Sequence, residues 1–316
     1  MKIGVYIEHG VGNGVGGAEL AMAHLAGVWS RAHDVDLIHH RPPLTRERIQ
    51  SFSQEDYSRV TSRCLAREPE PARPQNPLAR YRLARDWHRS LSAGYDLFVN
   101  CTHWLPPFCH AKRGVLLVLF PYYQLPRDLP EIQQLPRWKQ LRHLAYHDVE
   151  WRRRLATYRR AIAISEFART WTRRRWRLDP AVVYPPIDVD FTDRPKQPKQ
   201  PLIVSVNRFN LRAHKKQLEL MQVFAGMKQA GGFGAWHYAS IGGLNATPDN
   251  RAYFDHVAEA GAGCGGFVEA NVPPGRLKEL LTSARVYWHA MGLGEDTEQS
   301  GCPAPAASRA PAAPAT

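Results

Sequence analysis

A chain of 316 residues with 44% hydrophobic side chains is long enough for two domains with their own cores, and no run approaches the ~18 apolar residues of a transmembrane helix. Lys and Arg number 42 against 29 Asp and Glu, so the formal net charge is +13 and the pI near 9.8; this favours an anionic partner (nucleotide, phospholipid surface or nucleic acid) without choosing among them. Cys64, Cys101, Cys109, Cys264 and Cys302 are odd in number, scattered and free of any CxxC, which argues against a disulfide scaffold and suits a reducing cytosol.

The opening "KIGVYIE" is too short and too quickly polar for a signal peptide, and its apolar run predicts a first strand. "GNGVGGAE" follows as a glycine loop, "LAMAHLAGVWSRA" as an amphipathic helix and "DVDLIHH" as a second strand. This β–loop–α–β order begins a doubly wound parallel sheet. Residues 41–94, rich in Arg and Pro and less periodic, are expected to form helices and loops. "YDLFVNCT" and "GVLLVLFP" predict buried strands. In "AIAISEFARTWTRRRW" an apolar strand meets a helix, with Ser165 as its cap and Glu166 in its first turn.

"VVYPPIDVDFTDRPKQPKQP" breaks the pattern. Proline lacks a backbone N–H and fixes φ, so this stretch is neither helix nor central strand and reads as an interdomain linker. From 202 the alternation restarts: "LIVSVNRF", "WHYASIGG", "GFVEA" and "RVYWHAMG" as strands, with helices at "KKQLELMQVFAGMKQA", "NRAYFDHVAEAGA" and "PPGRLKELLTSA". The expected architecture is α/β: two Rossmann-like doubly wound domains, at 1–183 and 201–298, joined by a Pro-rich linker at 184–200. The second is expected to be incomplete, with about four strands. An Ala/Pro tail at 299–316 lacks the composition to bury a core and is expected to be disordered.

Two loops attract ligand chemistry. In "GVGNGVGGAEL" Gly12, Gly14 and Gly17 nearly meet a GxGxxG pattern, which brings backbone N–H groups and a helix N-terminus to a phosphate; a tight turn without ligand is the alternative. A nicotinamide enzyme needs an acidic residue ending the second strand, and here that strand ends "LIHH". In "SVNRFNLRAHKKQ" a buried strand delivers Arg208 to the sheet's carboxyl edge. Lys215 and Lys216 are expected in the first turn of the next helix, where they oppose its dipole unless an anion sits there. Facing a diphosphate, these cations would stabilise a departing nucleotide without a metal. A solvated basic loop is the alternative.

Other clusters are weaker. "DVD" occurs at 34–36 and 188–190, but two carboxylates alone complete no Mg²⁺ or Mn²⁺ site. "CTHWLPPFCH" gathers Cys101, His103, Cys109 and His110 at no standard zinc spacing and reads as a packed loop. The basic, aromatic stretch 151–178 offers contact with an anionic lipid surface; two solvated helix faces are the alternative, and nucleic acid is not expected.

Together, in this order, "GGAEL", "AIAISEFART", "VVYPPID", "SVNRF…KKQ" and "VYWHAMGLGED" resemble the retaining group-1 glycosyltransferases of GT-B fold over roughly residues 1–298. The series from "FVNCTH" to "WHAMGLGE" is similar to the subset related to lipid-linked oligosaccharide mannosyltransferases. The resemblance implies transfer of a hexose from a nucleotide-sugar to a glycan or lipid-linked acceptor, with no cofactor and no metal. It implies that Arg208 and Lys216 hold the diphosphate, with Lys215 as substitute. Gly16 and Gly17 would border an interdomain cleft, and Gly242 and Gly243 would let the nucleotide approach backbone. It assigns no catalytic residue. The expected location is cytoplasmic, with peripheral contact at the inner membrane face as a further expectation.

Two departures stand out. Phe120 and Pro121 occupy the place where many members carry a histidine, and His103 is no safe substitute. Past Glu295 the family continues with a glycine-containing loop, a helix and a pair of glutamates that hold the donor; here "CPAPAASRAPAAPAT" follows instead. The expectation is therefore a C-terminally truncated enzyme with impaired activity and low stability. A non-catalytic remnant, or a protein that binds anionic surfaces, is the alternative.

Overall fold

The computed structural model describes residues 1–7, 17–40, 56–65, 77–102, 104–122, 124–186, 198–211, 215–245 and 247–294. Two compact units divide the chain, Met1–Pro186 and Ile187–Thr316.

The first unit is built on seven parallel strands: β1 (Lys2–Ile7), β2 (Asp34–His39), β3 (Val60–Cys64), β4 (Leu97–Thr102), β5 (Gly114–Val118), β6 (Arg160–Ala163) and β7 (Ala181–Val182). Their order is β3-β2-β1-β4-β5-β6-β7, with every pairing parallel. The middle strands are buried on both faces, which is why they read as nearly continuous apolar runs. Ile3, Val5 and Ile7 join Val35 and Leu37 against Met22, Ala23 and Ala26 of α1 (Gly17–Ser30). Tyr6, Ile38, Phe98 and Leu116 line a second core with Trp151 and Trp176. A Cβ at Gly4 would lie 2.9 Å from the Tyr95 ring, so only glycine fits there.

Two expectations change in this unit, and the first "DVD" gains its partners. Residues 41–94 hold an edge strand, β3, as well as the helix α2 (Pro77–Ser92). Only Val60 of β3 is buried, so an edge position hides the alternation that would have marked it. The first "DVD" is a packing feature: Tyr95 donates its hydroxyl to the buried Asp36 carboxylate at 2.6 Å and accepts from Arg63 at 2.9 Å. Burial and that bond to Asp36 push the Tyr95 hydroxyl up to about 12. The stretch 151–178 is not simply two solvated faces. Arg154 and Arg175 are only 6% and 7% exposed. Arg154 pairs with Glu150 at 2.6 Å and lies over the Phe108 ring, while Arg175 donates to the Pro121 carbonyl at 2.9 Å and lies over Trp171.

The crossover from β5 to β6 carries α3 (Pro130–Gln133), α4 (Arg137–His143), a π-turn at Leu144–Asp148 and α5 (Val149–Ala156). α6 (Glu166–Trp176) starts as the sequence predicts, with the Ser165 hydroxyl accepting from the Ala168 N–H at 3.1 Å and Glu166 in the first turn. Cys101 and Cys109 are buried, and burial pushes the Cys101 thiol up to about 12. Among the described residues no group of three His, Cys, Asp or Glu side chains converges as a metal site, and no helix is long and apolar enough to cross a membrane. His103 and the second "DVD" lie outside the described residues.

The second unit has four parallel strands, β8 (Gln200–Val206), β9 (His237–Gly242), β10 (Gly266–Ala270) and β11 (Ala284–Tyr287), in the order β10-β9-β8-β11. Helices α7 (Gln217–Gln229) and α8 (Pro248–Gly261) pack with one face of the sheet, and Leu277, Leu280 and Leu281 of α9 (Pro274–Ser283) pack against Leu202, Val204 and Ile241. Among the described residues β11 is a half-exposed edge strand: Tyr287 faces solvent, and the Trp288 N–H donates to the Val204 carbonyl at 2.9 Å. Residues 187–197 of the expected linker and everything from Glu295 onward lie outside the described residues.

Candidate functional site

The carboxyl edge of the second sheet gathers the cations. β8 is buried through Ser205, and beyond it the chain alternates: Asn207 inward, Arg208 outward, Phe209 inward. Both inward residues are tied to β9 and its continuation, Asn207 N–H donating to the Ile241 carbonyl at 2.9 Å and Phe209 N–H to the Gly243 carbonyl at 2.8 Å. Phe209 also meets Phe254 edge to face at 4.9 Å. Anchored on both sides, Arg208 has no choice but to project outward. Its guanidinium makes no hydrogen bond or ion pair among the described residues.

A fully buried glutamine sets the backbone beneath it. Gln217, the first residue of α7, donates its amide to the Asn207 carbonyl at 3.3 Å and the Arg208 carbonyl at 2.9 Å, and accepts from the Tyr253 hydroxyl at 3.2 Å. Asn271, at the end of β10, clamps the β9 loop by accepting from the Leu244 N–H at 3.0 Å and donating to its carbonyl at 3.1 Å.

Lys216 caps α7 instead of sitting in its first turn, and does so in the left-handed region at φ 60°. A non-glycine residue there costs about 1–2 kcal/mol. Glu219 stands 3.6 Å from the Lys216 ammonium, so the protein itself supplies part of the negative charge expected at this helix end. The Lys215 ammonium lies against the Met291 sulfur. Next to it, His289 sits below the ordinary imidazole range, first through burial and second through the charge of Lys215.

The two glycines after β9 differ. A Cβ on Gly242 would fall 1.7 Å from the Asn207 carbonyl oxygen, so close approach of the neighbouring backbone by itself requires glycine there. A Cβ on Gly243 would meet nothing nearer than Asn271 Oδ1 at 3.9 Å and Arg208 Cγ at 4.0 Å, so Gly243 flanks Arg208 with room to spare. In the first unit Gly17 opens α1 with nothing within 4 Å of such a Cβ, while Gly16 and the rest of the glycine loop lie outside the described residues. The histidines of "LIHH" tie strands together: His39 bonds Ser62 at 2.8 Å, and His40 bonds the Tyr6 hydroxyl at 2.7 Å and the Leu65 carbonyl at 3.0 Å. Phe120 is buried against Phe167 and Trp171. A hollow of about 240 Å³ bordered by Gln200, His237, Phe267 and Arg276 sits at the opposite, amino edge of the second sheet, with Arg276 already paired to Glu269 at 2.9 Å.

Residues 15–191, more than half of the chain, match the sequence profile of Glycosyltransferase Family 4. The chain belongs to that family. Among solved structures this family 4 glycosyltransferase is similar to Anabaena Alr3699/HepE, at 12% identity and TM-score 0.55 over 92% of this chain and 74% of that one. It is similar to WaaG, a glycosyltransferase involved in lipopolysaccharide biosynthesis, at 10% identity and TM-score 0.54 over 92% and 74%. Trehalose-6-phosphate synthase OtsA matches at 11% identity and TM-score 0.52 over 90% and 77%. A search of curated proteins returns no match. The resemblance to the group-1, GT-B glycosyltransferases therefore stands, and with it the paired Rossmann-like fold class.

Sequence reasoning placed the three cations of the glycosyltransferase at one edge but missed Asn207, Gln217, Asn271 and His289. The polar residues are buried and bond to backbone, a role no residue spacing signals. His289 stood in plain view inside "VYWHAMG", where only the strand drew attention.

Proposed function

We propose that this glycosyltransferase transfers a hexose from a nucleotide-diphosphate sugar to a glycan or lipid-linked acceptor, with retention and without a metal ion. Arg208 carries the reading: an outward guanidinium, unpaired among the described residues, on a clamped backbone at the sheet edge where open α/β folds bind ligands. As the bond between the anomeric carbon and the diphosphate breaks, negative charge gathers on the leaving β-phosphate. Fixed cations aimed at that oxygen stabilise the transition state more than the ground state. Arg208 meets this charge bidentately, and Lys216, with Lys215 behind it, adds an ammonium. The acceptor hydroxyl attacks from the same face and its proton passes to the departing phosphate. Gly243 supplies the open wall beside Arg208.

Two likenesses support the chemistry. Anabaena HepE, of the same fold, was solved in complex with UDP and glucose. WaaG acts in lipopolysaccharide biosynthesis, which fits a lipid-linked acceptor. The motif series favours a mannose-class hexose, and the scattered cysteines favour the cytoplasm as the site of action. The test is transfer from radiolabelled UDP- and GDP-hexoses, with the anomeric configuration of the product read by NMR. The expected result is a retained linkage, activity that persists in EDTA, and its loss in Arg208→Ala. An inverted product, or transfer that needs a divalent metal, contradicts the proposal.

A further inference from the structure

The crossover helices of the first unit turn apolar side chains outward. α4 runs through the π-turn into α5 with helical backbone at both junctions, Leu144 at φ −58° and ψ −46° and Val149 at φ −68° and ψ −44°. Trp138 is 61% exposed, Leu141 63% and Val149 37%, with Ala145 also exposed between them. Their spacing of three, four and four residues makes one stripe along the helix. Further on, Trp151 and Leu155 of α5 enter the core, so the π-turn joins an outward-facing segment to an inward-facing one.

The charge around the first three residues of the stripe is of one sign, while Val149 lies between Asp148, buried and paired with Arg127 and Arg152, and Glu150, paired with Arg154. From Gln134 to His147 stand Arg137, Lys139 and Arg142 with two histidines and no Asp or Glu. The Lys139 ammonium and the Arg142 guanidinium lie 5.3 Å and 6.0 Å from the centre of the Trp138 ring. An exposed tryptophan and leucine fringed by cations suit the headgroup layer of an anionic bilayer, where the ring lies at the boundary and the cations meet lipid phosphates. Six of the arginines at 151–178 are otherwise engaged: Arg154 and Arg175 are buried, Arg152 pairs with Asp148, Arg169 and Arg173 with Asp179, and Arg177 with Asp128. Arg153, Arg159, Arg160 and Arg174 are exposed and add to the basic surface of this unit. We infer that the helical run bearing Trp138, Leu141 and Val149 docks the first unit on an anionic lipid surface. The inference does not rest on the nucleotide site.

The test is sedimentation of the full chain with vesicles of phosphatidylcholine alone and of equimolar phosphatidylcholine and phosphatidylglycerol. The chain is expected to sediment with the mixed vesicles and to stay in solution with the neutral ones. Each of Arg137→Glu, Lys139→Glu and Arg142→Glu is expected to lower the partition coefficient about fivefold or more. Trp138→Ser combined with Leu141→Ser abolishes partition but, being confined to solvent-facing positions, leaves Tm and UDP affinity at wild-type values. Equal sedimentation with both vesicle types overturns the inference, as does wild-type partition of the double variant. So does a wild-type chain that ignores both vesicles yet forms a dimer which the double variant dissolves, since the stripe would then belong to a second copy.

Discussion

Arg208, Lys216 and His289 each make a separable contribution. Losing the Arg208 guanidinium removes charge-assisted hydrogen bonds, so Arg208→Ala is expected to weaken diphosphate binding about ten- to hundredfold with little change in Tm. Lys216→Gly separates stability from binding. Glycine relieves the left-handed strain at φ 60°, so Tm should hold or rise while affinity for UDP falls. His289 gives a pH signature. Its folded value lies below the ordinary 6.5, so between the two values the unfolded chain binds the extra proton. Stability from this ring is therefore present above pH 6.5 and lost as pH falls through the folded value. His289→Gln should flatten that part of the Tm–pH curve. In proton NMR, added pyrophosphate should raise the His289 titration; an unmoved titration would place the anion elsewhere.

At the scale of elements, the edge of the second sheet holds its shape through close backbone approach and one buried amide. Gly242→Ala forces a Cβ against the Asn207 carbonyl and should cost about 1–3 kcal/mol or more, whereas Gly243→Ala should stay within about 1 kcal/mol of wild type. Gln217→Met leaves the Asn207 and Arg208 carbonyls without their donor, a loss of about 1–3 kcal/mol, and should weaken UDP binding although it touches no ligand. Chemical denaturation of the four proteins checks the ranking. Strands such as β1, β4, β8 and β9 were legible because burial on both faces writes an apolar run into the sequence. β3 was not, because an edge strand with one buried residue carries no such run. Arg208, Lys215 and Lys216 were legible because a basic loop after an apolar strand is a local pattern. Gln217 and Asn271 were not, because their partners are backbone groups brought close only by the fold.

Across the whole molecule, a net charge of +13 resolves into distinct local uses. Some cations are internal: Arg154 and Arg175 sit on aromatic rings and donate to backbone carbonyls of the first unit. Others fringe the outward stripe of α4, and a third group stands at the carboxyl edge of the second sheet. Salt therefore has separate effects. Partition onto vesicles and affinity for UDP should both fall as ionic strength rises, while the buried arginines, shielded from ions, keep Tm nearly constant. Isothermal titration of UDP and GDP into the wild-type chain and Arg208→Ala tests the central claim most directly. The account predicts that at least one nucleotide binds the wild type and that Arg208→Ala weakens that binding about tenfold or more at unchanged Tm. Equal affinity in the two proteins, or no binding of either nucleotide to a folded wild-type chain, would contradict it.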